Sequence, residues 1–239
     1  MELKFAFKKK RILFISDMHV PYHHPDTLNF LKAVKAKYKP HLVVNVGDLA
    51  DFHGISFHKS DPDLLSPGKE LKALREVSSK LYKIFPKMVI VGSNHGDLPL
   101  RKAFDAGLPK DLVRPFNDIY QVGNGWQFVD DLTIKDGQEI IYCAHYITKD
   151  VHKAAAQRGV NVVTGHAHTN FSINYVSNPR NLLWGMSVGC CIDRLSLAFS
   201  YNKLDLSRPI IGHGLVDRGH PKLLPMVLTS DHKWSKHVP

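Results

Sequence analysis

The chain has 239 residues, 44% of them hydrophobic and 23% charged, and a formal net charge of +10. That length can bury a core in one α/β domain or two small ones. No segment approaches the ~18 consecutive apolar residues of a membrane span, which excludes a membrane-spanning class. The excess positive charge attracts anions, phosphate-bearing partners above all, without choosing between a nucleotide and a polymer. The lysines are scattered; the densest run, Lys8–Arg11, reads as a solvated entry to the first strand.

The opening residues, Met1 to Arg11, are too basic and too short in their apolar part for a signal peptide. Cys143, Cys190 and Cys191 are odd in number and show no Cys-x-x-Cys spacing, so neither a disulfide framework nor a zinc knuckle is indicated. A reducing, cytoplasmic setting is the expectation. Fifteen histidines are many for this length. His41, His152, His232 and His237 read as surface or loop residues, whereas the others recur at strand ends.

Arg11–Ser16 reads as the first strand, followed by Asp17-Met18-His19. Residues two apart on an extended chain project to one face, so Asp17 and His19 can converge on one ion. Leu28, Phe30, Leu31 and Val34 recur at helical spacing before Pro40. Leu42–Val46 is an apolar, β-branched strand that breaks at Gly47 and places Asp48 directly after it. A carboxylate there stands at the carboxyl end of a parallel sheet, where α/β folds hold ligands. The two strands and the intervening helix call for a parallel pair.

Phe52–Lys69 reads as a long loop beside the site and Glu70–Phe85 as a helix. Lys87–Val91 is a third strand ending in Gly92-Ser93-Asn94-His95. Three prolines between Leu98 and Asn124 favour short helices and loops. Trp126–Val129 and Leu132–Ile134 read as strands, Asp136-Gly137 as a tight turn, and Glu139–Ala144 as a strand running to His145. A helix over Lys149–Arg158 leads to the strand Val160–Thr164, which ends in Gly165-His166-Ala167-His168. Phe171–Tyr175 and Leu182–Val188 close the chain as an antiparallel pair. The apolar run Leu182–Phe199 fits either core strands or the interface of a homo-oligomer. The tail beyond about residue 225 is polar and expected to be loosely held, within a single domain over 1–239.

Five strand ends thus carry Asp17/His19, Asp48, Asn94/His95, His145 and His166/His168. Asp, Asn and Gly belong in turns anyway, and turn preference would account for any two of these sets, but poorly for all five. In this order, Asp-x-His, Gly-Asp-x-x-Asp, Asn-His, His and Gly-His-x-His resemble the calcineurin-like metallophosphoesterase family. The run Trp184–Gly189 is similar, more weakly, to small phosphoesterases carried by bacteriophages.

The resemblance implies an α+β fold in which two mixed β-sheets pack as a sandwich flanked by helices, with a dinuclear metal site at the strand ends. Asp17, His19 and His168 would hold one metal, Asn94, His145 and His166 the other, and Asp48 would bridge them. Cations ~3.5–4 Å apart repel, and a shared carboxylate lowers that cost. Nitrogen and oxygen donors without thiolate suit two divalent ions, Mn²⁺ first, with Fe, Zn²⁺, Co²⁺ or Ni²⁺ as alternatives. A metal-bridging hydroxide would attack phosphorus, and His95 would protonate the leaving group or steady the phosphoryl charge. Two departures stand out. Ser93 separates Gly92 from Asn94, and Gly96 follows His95 where the family often has an acid, leaving Asp97 to replace it. Asp51 is expected to support the ligands from behind.

The expected function is a metal-dependent phosphomonoesterase acting on small phosphate esters, nucleoside 5′-monophosphates first. A phosphodiesterase or DNA nuclease is the alternative, and a non-catalytic binding scaffold is a third class. Phe52, His53, Phe57, His58 and Tyr146 are candidates to stack a base, with ordinary packing as the other reading. Arg101, Lys102, Lys149 and His213 are candidates to hold phosphate, with solvated surface as the other reading.

Overall fold

The computed structural model describes residues 1–57, 63–179, 181–196 and 208–239. Its elements run β1 (Glu2–Lys4), β2 (Arg11–Ile15), α1 (Thr27–Tyr38), β3 (Leu42–Asn45), α2 (Pro67–Ile84), β4 (Met88–Val91), α3 (Leu98–Asp105), α4 (Phe116–Tyr120) and β5 (Trp126–Val129). They continue with β6 (Leu132–Asp136), β7 (Glu139–Cys143), α5 (Val151–Arg158), β8 (Asn161–Thr164), β9 (Phe171–Ser177), β10 (Leu182–Val188), β11 (Gly212–Asp217) and β12 (His220–Pro225).

Two mixed six-stranded sheets result, in the orders β12-β11-β2-β3-β4-β5 and β1-β6-β7-β8-β10-β9. In the first, β2 through β5 are parallel, because α1 and α2 carry the chain back between strands. The central strands β2, β3 and β4 are largely apolar on both faces, and alternation sorts their side chains between two cores. Phe14, Val44 and Val89 stand in register and face the second sheet, where Ile141, Val163 and Met186 meet them. Leu13, Val43 and Ile90 point the other way, toward Phe30 and Val34 of α1 and Leu74 and Leu81 of α2. On the far side, Val151, Ala154 and Ala155 of α5 cover Val162 and Leu183 of the second sheet. The order of layers is therefore helices, sheet, sheet, helix.

Three readings of the sequence are adjusted. Helix α2 begins at Pro67 rather than Glu70, since proline at the first helical position has φ preset and no N–H to satisfy. The loop before it contains a 3-10 turn at His53–Ile55, tied down by Glu70, which accepts the backbone N–H of His53 at 2.9 Å and of Gly54 at 3.0 Å. The tail is not loose. Trp234 donates its backbone N–H to Asp26 at 3.0 Å, its ring lies 5.4 Å from that of Phe30, and Lys37 holds the carbonyl of Val238 at 2.7 Å.

His213, a sequence candidate for phosphate binding, is wholly buried on β11 and stacked on Phe30 at 5.4 Å, with neither ring nitrogen hydrogen-bonded to a side chain or backbone group among the described residues. It cannot reach substrate. Burial lowers its pKa from 6.5 to about 3, so the folded chain keeps it neutral where the unfolded chain protonates it. The unfolded state then binds the extra proton, and stability falls as pH drops from 6.5 toward 3. His213→Phe, which keeps the stack, should remove roughly 3 kcal/mol of destabilisation on going from pH 7 to pH 4. Urea unfolding of both proteins at pH 7, 5.5 and 4 checks this. Parallel pH dependence in the two would show that His213 is not responsible.

Candidate metal centre

The carboxyl ends of β2, β3 and β4 in one sheet and of β7 and β8 in the other open onto the same point. Loops leaving those strands turn sharply there. Asp17, His19, Asp48 and His166 all have positive φ, between 46° and 65°, although none is glycine. Such conformations cost about 1–3 kcal/mol each and persist only where the surroundings fix them. Here they turn four donor side chains inward.

The donors form two sets that share a middle. Asp17 Oδ1 lies 3.1 Å from His168 Nε2 and 3.7 Å from His19 Nε2, and the two imidazole nitrogens are 3.2 Å apart. Asp48 Oδ2 lies 3.1 Å from His145 Nε2 and 3.6 Å from His19 Nε2. His166 Nδ1 completes that side, 3.3 Å from His145 Nε2. Donors bound to one ion at ~2.0–2.2 Å sit about 3.0–3.6 Å from one another, close to the 3.1–3.7 Å found. The donor set therefore fits two cations with Asp48 between them. His95 lies against the same centre, grouped with His19 and Asp48.

The atoms behind the donors fix which nitrogen faces inward. His145 Nδ1 donates to the Val46 carbonyl at 2.9 Å, leaving Nε2 for the cluster. His19 Nδ1 bonds Asp51 Oδ1 at 2.6 Å, and His95 Nδ1 donates to the Asp51 carbonyl at 2.7 Å. One residue thus holds two histidine rings in place. Asp17 Oδ2 is held by the Ser16 hydroxyl and by the His166 backbone N–H at 2.9 Å, so Oδ1 alone points to the cluster.

Charge follows the same plan. Burial opposes the ionised form of Asp17, but the imidazoles of His145, His168 and His19 outweigh it and hold the carboxyl well below its ordinary range. Burial likewise lowers His19, yet Asp17 and Asp51 pull its pKa up to about 10, and Asp48 and Asp17 pull His145 up to about 9. A field that draws protons onto buried imidazoles draws divalent cations to the same point.

The remaining sequence candidates divide. Asp97 does not reach His95. Its Oδ2 accepts the backbone N–H of Ser93 at 3.1 Å, so it stiffens the inserted residue, and Asp51 takes the place expected of Asp97. Asn94 is exposed on the loop, and its carbonyl accepts from Arg101 at 3.0 Å. Phe52 is buried against Tyr120 and packs the core rather than standing open. Tyr146 is exposed, with its ring 4.8 Å from that of His166. His53 Nδ1 lies 4.0 Å from Asp51. Lys102 sits over the ring of Phe57 at 3.8 Å, Lys149 is exposed, and His58 falls outside the described residues.

Ser93 carries more than its sequence suggested. Its hydroxyl accepts the backbone N–H of Asp48 at 2.8 Å and of Gly96 at 3.1 Å, joining the two loops that bracket the centre. Only the inserted position offered a signal for it.

Residues 10–213 match the family model for calcineurin-like phosphoesterases, and the chain belongs to that family. Membership implies a phosphoric ester hydrolase dependent on a dinuclear metal site, which the Asp and His clusters are able to provide. No curated protein matches the chain. Among solved structures it is similar to a novel archaeal phosphodiesterase, at 13% identity over 90% of this chain and 99% of the other, with a TM-score of 0.46. The phosphoesterase Yfce from E. coli is 12% identical over 94% and 96% of the two chains, with a TM-score of 0.41. Vacuolar protein sorting 29 from Cryptosporidium parvum is 16% identical over 92% of each, with a TM-score of 0.46.

Gly165 tests the packing of the centre. A Cβ there would meet Ser16 Oγ at 1.9 Å and Asp17 Oδ2 at 2.5 Å. Gly165→Ala should displace Asp17 and lower the metal content of the folded protein from two ions toward one. Metal analysis of the purified variant, with circular dichroism to verify folding, decides it. Two tightly held ions would show that Asp17 is not fixed in this way.

Proposed function

We propose that the protein is a metal-dependent phosphomonoesterase that releases phosphate from small esters, nucleoside 5′-monophosphates first. The observation that carries this reading is the pair of donor sets sharing Asp48, with His95 at its edge. Two divalent ions, Mn²⁺ first, would be held by Asp17, His19 and His168 on one side and by Asn94, His145 and His166 on the other, with Asp48 common to both. When bound, they supply the positive charge that polarises a phosphoryl group and acidifies water.

The chain's own residues then have definite tasks. Asp48 and Asp17 keep the centre anionic enough to hold its cations. His95, with Nδ1 fixed by the Asp51 carbonyl, has Nε2 left to deliver a proton to the departing oxygen. Asp51 Oδ1 lies 3.5 Å from His95 Nδ1 and helps to fix the orientation of the ring.

Distribution of charge supports a monoester over a strand. Several cations are paired away from the centre: Lys8 with Glu139, Lys135 with Glu2, Lys153 with Asp150, and Arg11 and Lys222 with Asp217. A strand-binding channel would need a continuous run of free cations with stacking platforms. The run Trp184–Gly189 supports placement among small phage-type members. The three buried, free cysteines fit a cytoplasmic setting, and among the described residues no helix is long and apolar enough to cross a membrane.

With Mn²⁺, the protein should release inorganic phosphate from nucleoside 5′-monophosphates and leave DNA uncut. A panel of 5′- and 3′-nucleotides, bis(p-nitrophenyl) phosphate, and single- and double-stranded DNA at two salt concentrations checks this. Strong, salt-sensitive strand cleavage without phosphate release would favour the nuclease, and no turnover despite two bound ions would favour a binding scaffold. Asp48→Asn should abolish turnover and loosen both ions together. His95→Ala should slow alkyl phosphates by about 10²–10⁴ and p-nitrophenyl phosphate far less, because an aryl oxygen leaves without a proton. Equal losses on both substrates would assign His95 to positioning instead.

A further inference from the structure

Beside the metal centre, a cavity of about 310 Å³ opens between α3, α4 and the ends of β4 and β5. It shares Asp48, Ser93 and Gly96 with the loops that build the centre. Its volume is at the small end of ligand pockets, enough for one ring system rather than a strand. Part of its lining is a cluster of aromatic rings: Phe116 stacks on Phe128 at 5.2 Å, and Tyr120 leans on Phe128 at 5.2 Å. Two carboxylates, Asp97 and Asp130, share the lining, with Arg101 and Lys110 as its cations.

The two carboxylates are the acceptors of the cavity. Asp97 has one oxygen on the Ser93 N–H and no hydrogen bond to the other among the described residues. Asp130 is exposed at one edge. Tyr120 is only 2% exposed, yet none of the described residues hydrogen-bonds its hydroxyl. Burial, with the carboxylates of Asp97 and Asp48 adding to it, pushes the Tyr120 phenol up, so the hydroxyl of this lining residue remains a donor.

We propose that this cavity receives the organic part of the substrate and takes a planar nitrogen heterocycle presenting N–H donors, a nucleobase, with guanine preferred. Flat aromatic walls select a flat ring. Carboxylate oxygens accept hydrogen bonds, so they favour the base edge with adjacent donors, which guanine supplies through N1–H and its N2 amino group. The inference rests on the phosphomonoesterase reading, and its test separates the two.

Nucleosides carry no phosphate and cannot be turned over, so calorimetry of guanosine, adenosine, cytidine and uridine on the Mn²⁺-loaded protein reads the cavity alone. Guanosine should bind most tightly. Asp130→Asn and Tyr120→Phe should each weaken it by about threefold to tenfold, the loss of one hydrogen bond. Asp130 is exposed and Tyr120→Phe keeps the ring, so both variants should fold, which thermal melting verifies. Absence of nucleoside binding at millimolar concentration, or binding that both variants leave unchanged, overturns the assignment. Binding without phosphate release from any monoester would keep the cavity and remove the esterase. Phosphate release without nucleoside binding would do the reverse.

Discussion

Asp48 sets the problem that the rest of the structure solves. It is about 1% exposed and has a second buried carboxylate, Asp17, for a neighbour. An uncompensated carboxylate in such a place costs several kcal/mol, and two together cost more. Compensation comes from every direction: the His95 backbone N–H reaches Asp48 Oδ1 at 3.1 Å, while the imidazoles of His145 and His19 face Oδ2. Those imidazoles hold protons that a bound cation would displace, leaving neutral nitrogen ligands. The arrangement is most stable with cations among the donors, so the same electrostatic imbalance creates both the instability and the affinity.

Strain explains why a rigid sandwich surrounds it. Asp17, His19, Asp48 and His166 sit in left-handed backbone conformations that an isolated loop would abandon. Each follows, within four residues, a strand paired on both sides, and the register Phe14, Val44, Val89 buries those strands between two cores. Packing therefore holds the turns, and the turns hold the donors. Gly47 shows how little room remains: a Cβ there would come 2.6 Å from His145 Nδ1, and its φ of +101° suits no other residue.

Much of the centre was legible because its parts are local. An apolar run followed by Gly-Asp or Gly-His-x-His announces a strand and the donor at its end, and the periodicity of α1 and α2 follows from their sequences. Contacts between distant segments were not legible. Nothing near His213 says that Phe30 will stack on it, and nothing near Trp234 says that α1 will receive the tail. Phe52 looked available because its neighbours are polar; its burial is decided by Tyr120, 68 positions later in the chain. The cavity beside α3 and α4 arises from irregular, proline-broken sequence, where periodicity carries little information.

The loop after β4 shows how a motif can change its letters and keep its mechanics. An acid directly after the histidine would be the expected means of orienting His95, and this chain has Gly96 there. A Cβ at that position would press on Ser93 Oγ at 2.7 Å. Glycine is thus what allows Ser93 to receive the N–H groups of Gly96 and Asp48 at once. Asp97 then secures Ser93 through its backbone, and Asp51 secures His95 from across the site. Insertion of Ser93 moves the acid away from the histidine, and the displaced acid stabilises the insertion instead. Because His95 now depends on Asp51, which also orients His19, the two imidazoles are mechanically coupled through a single buried side chain and its backbone.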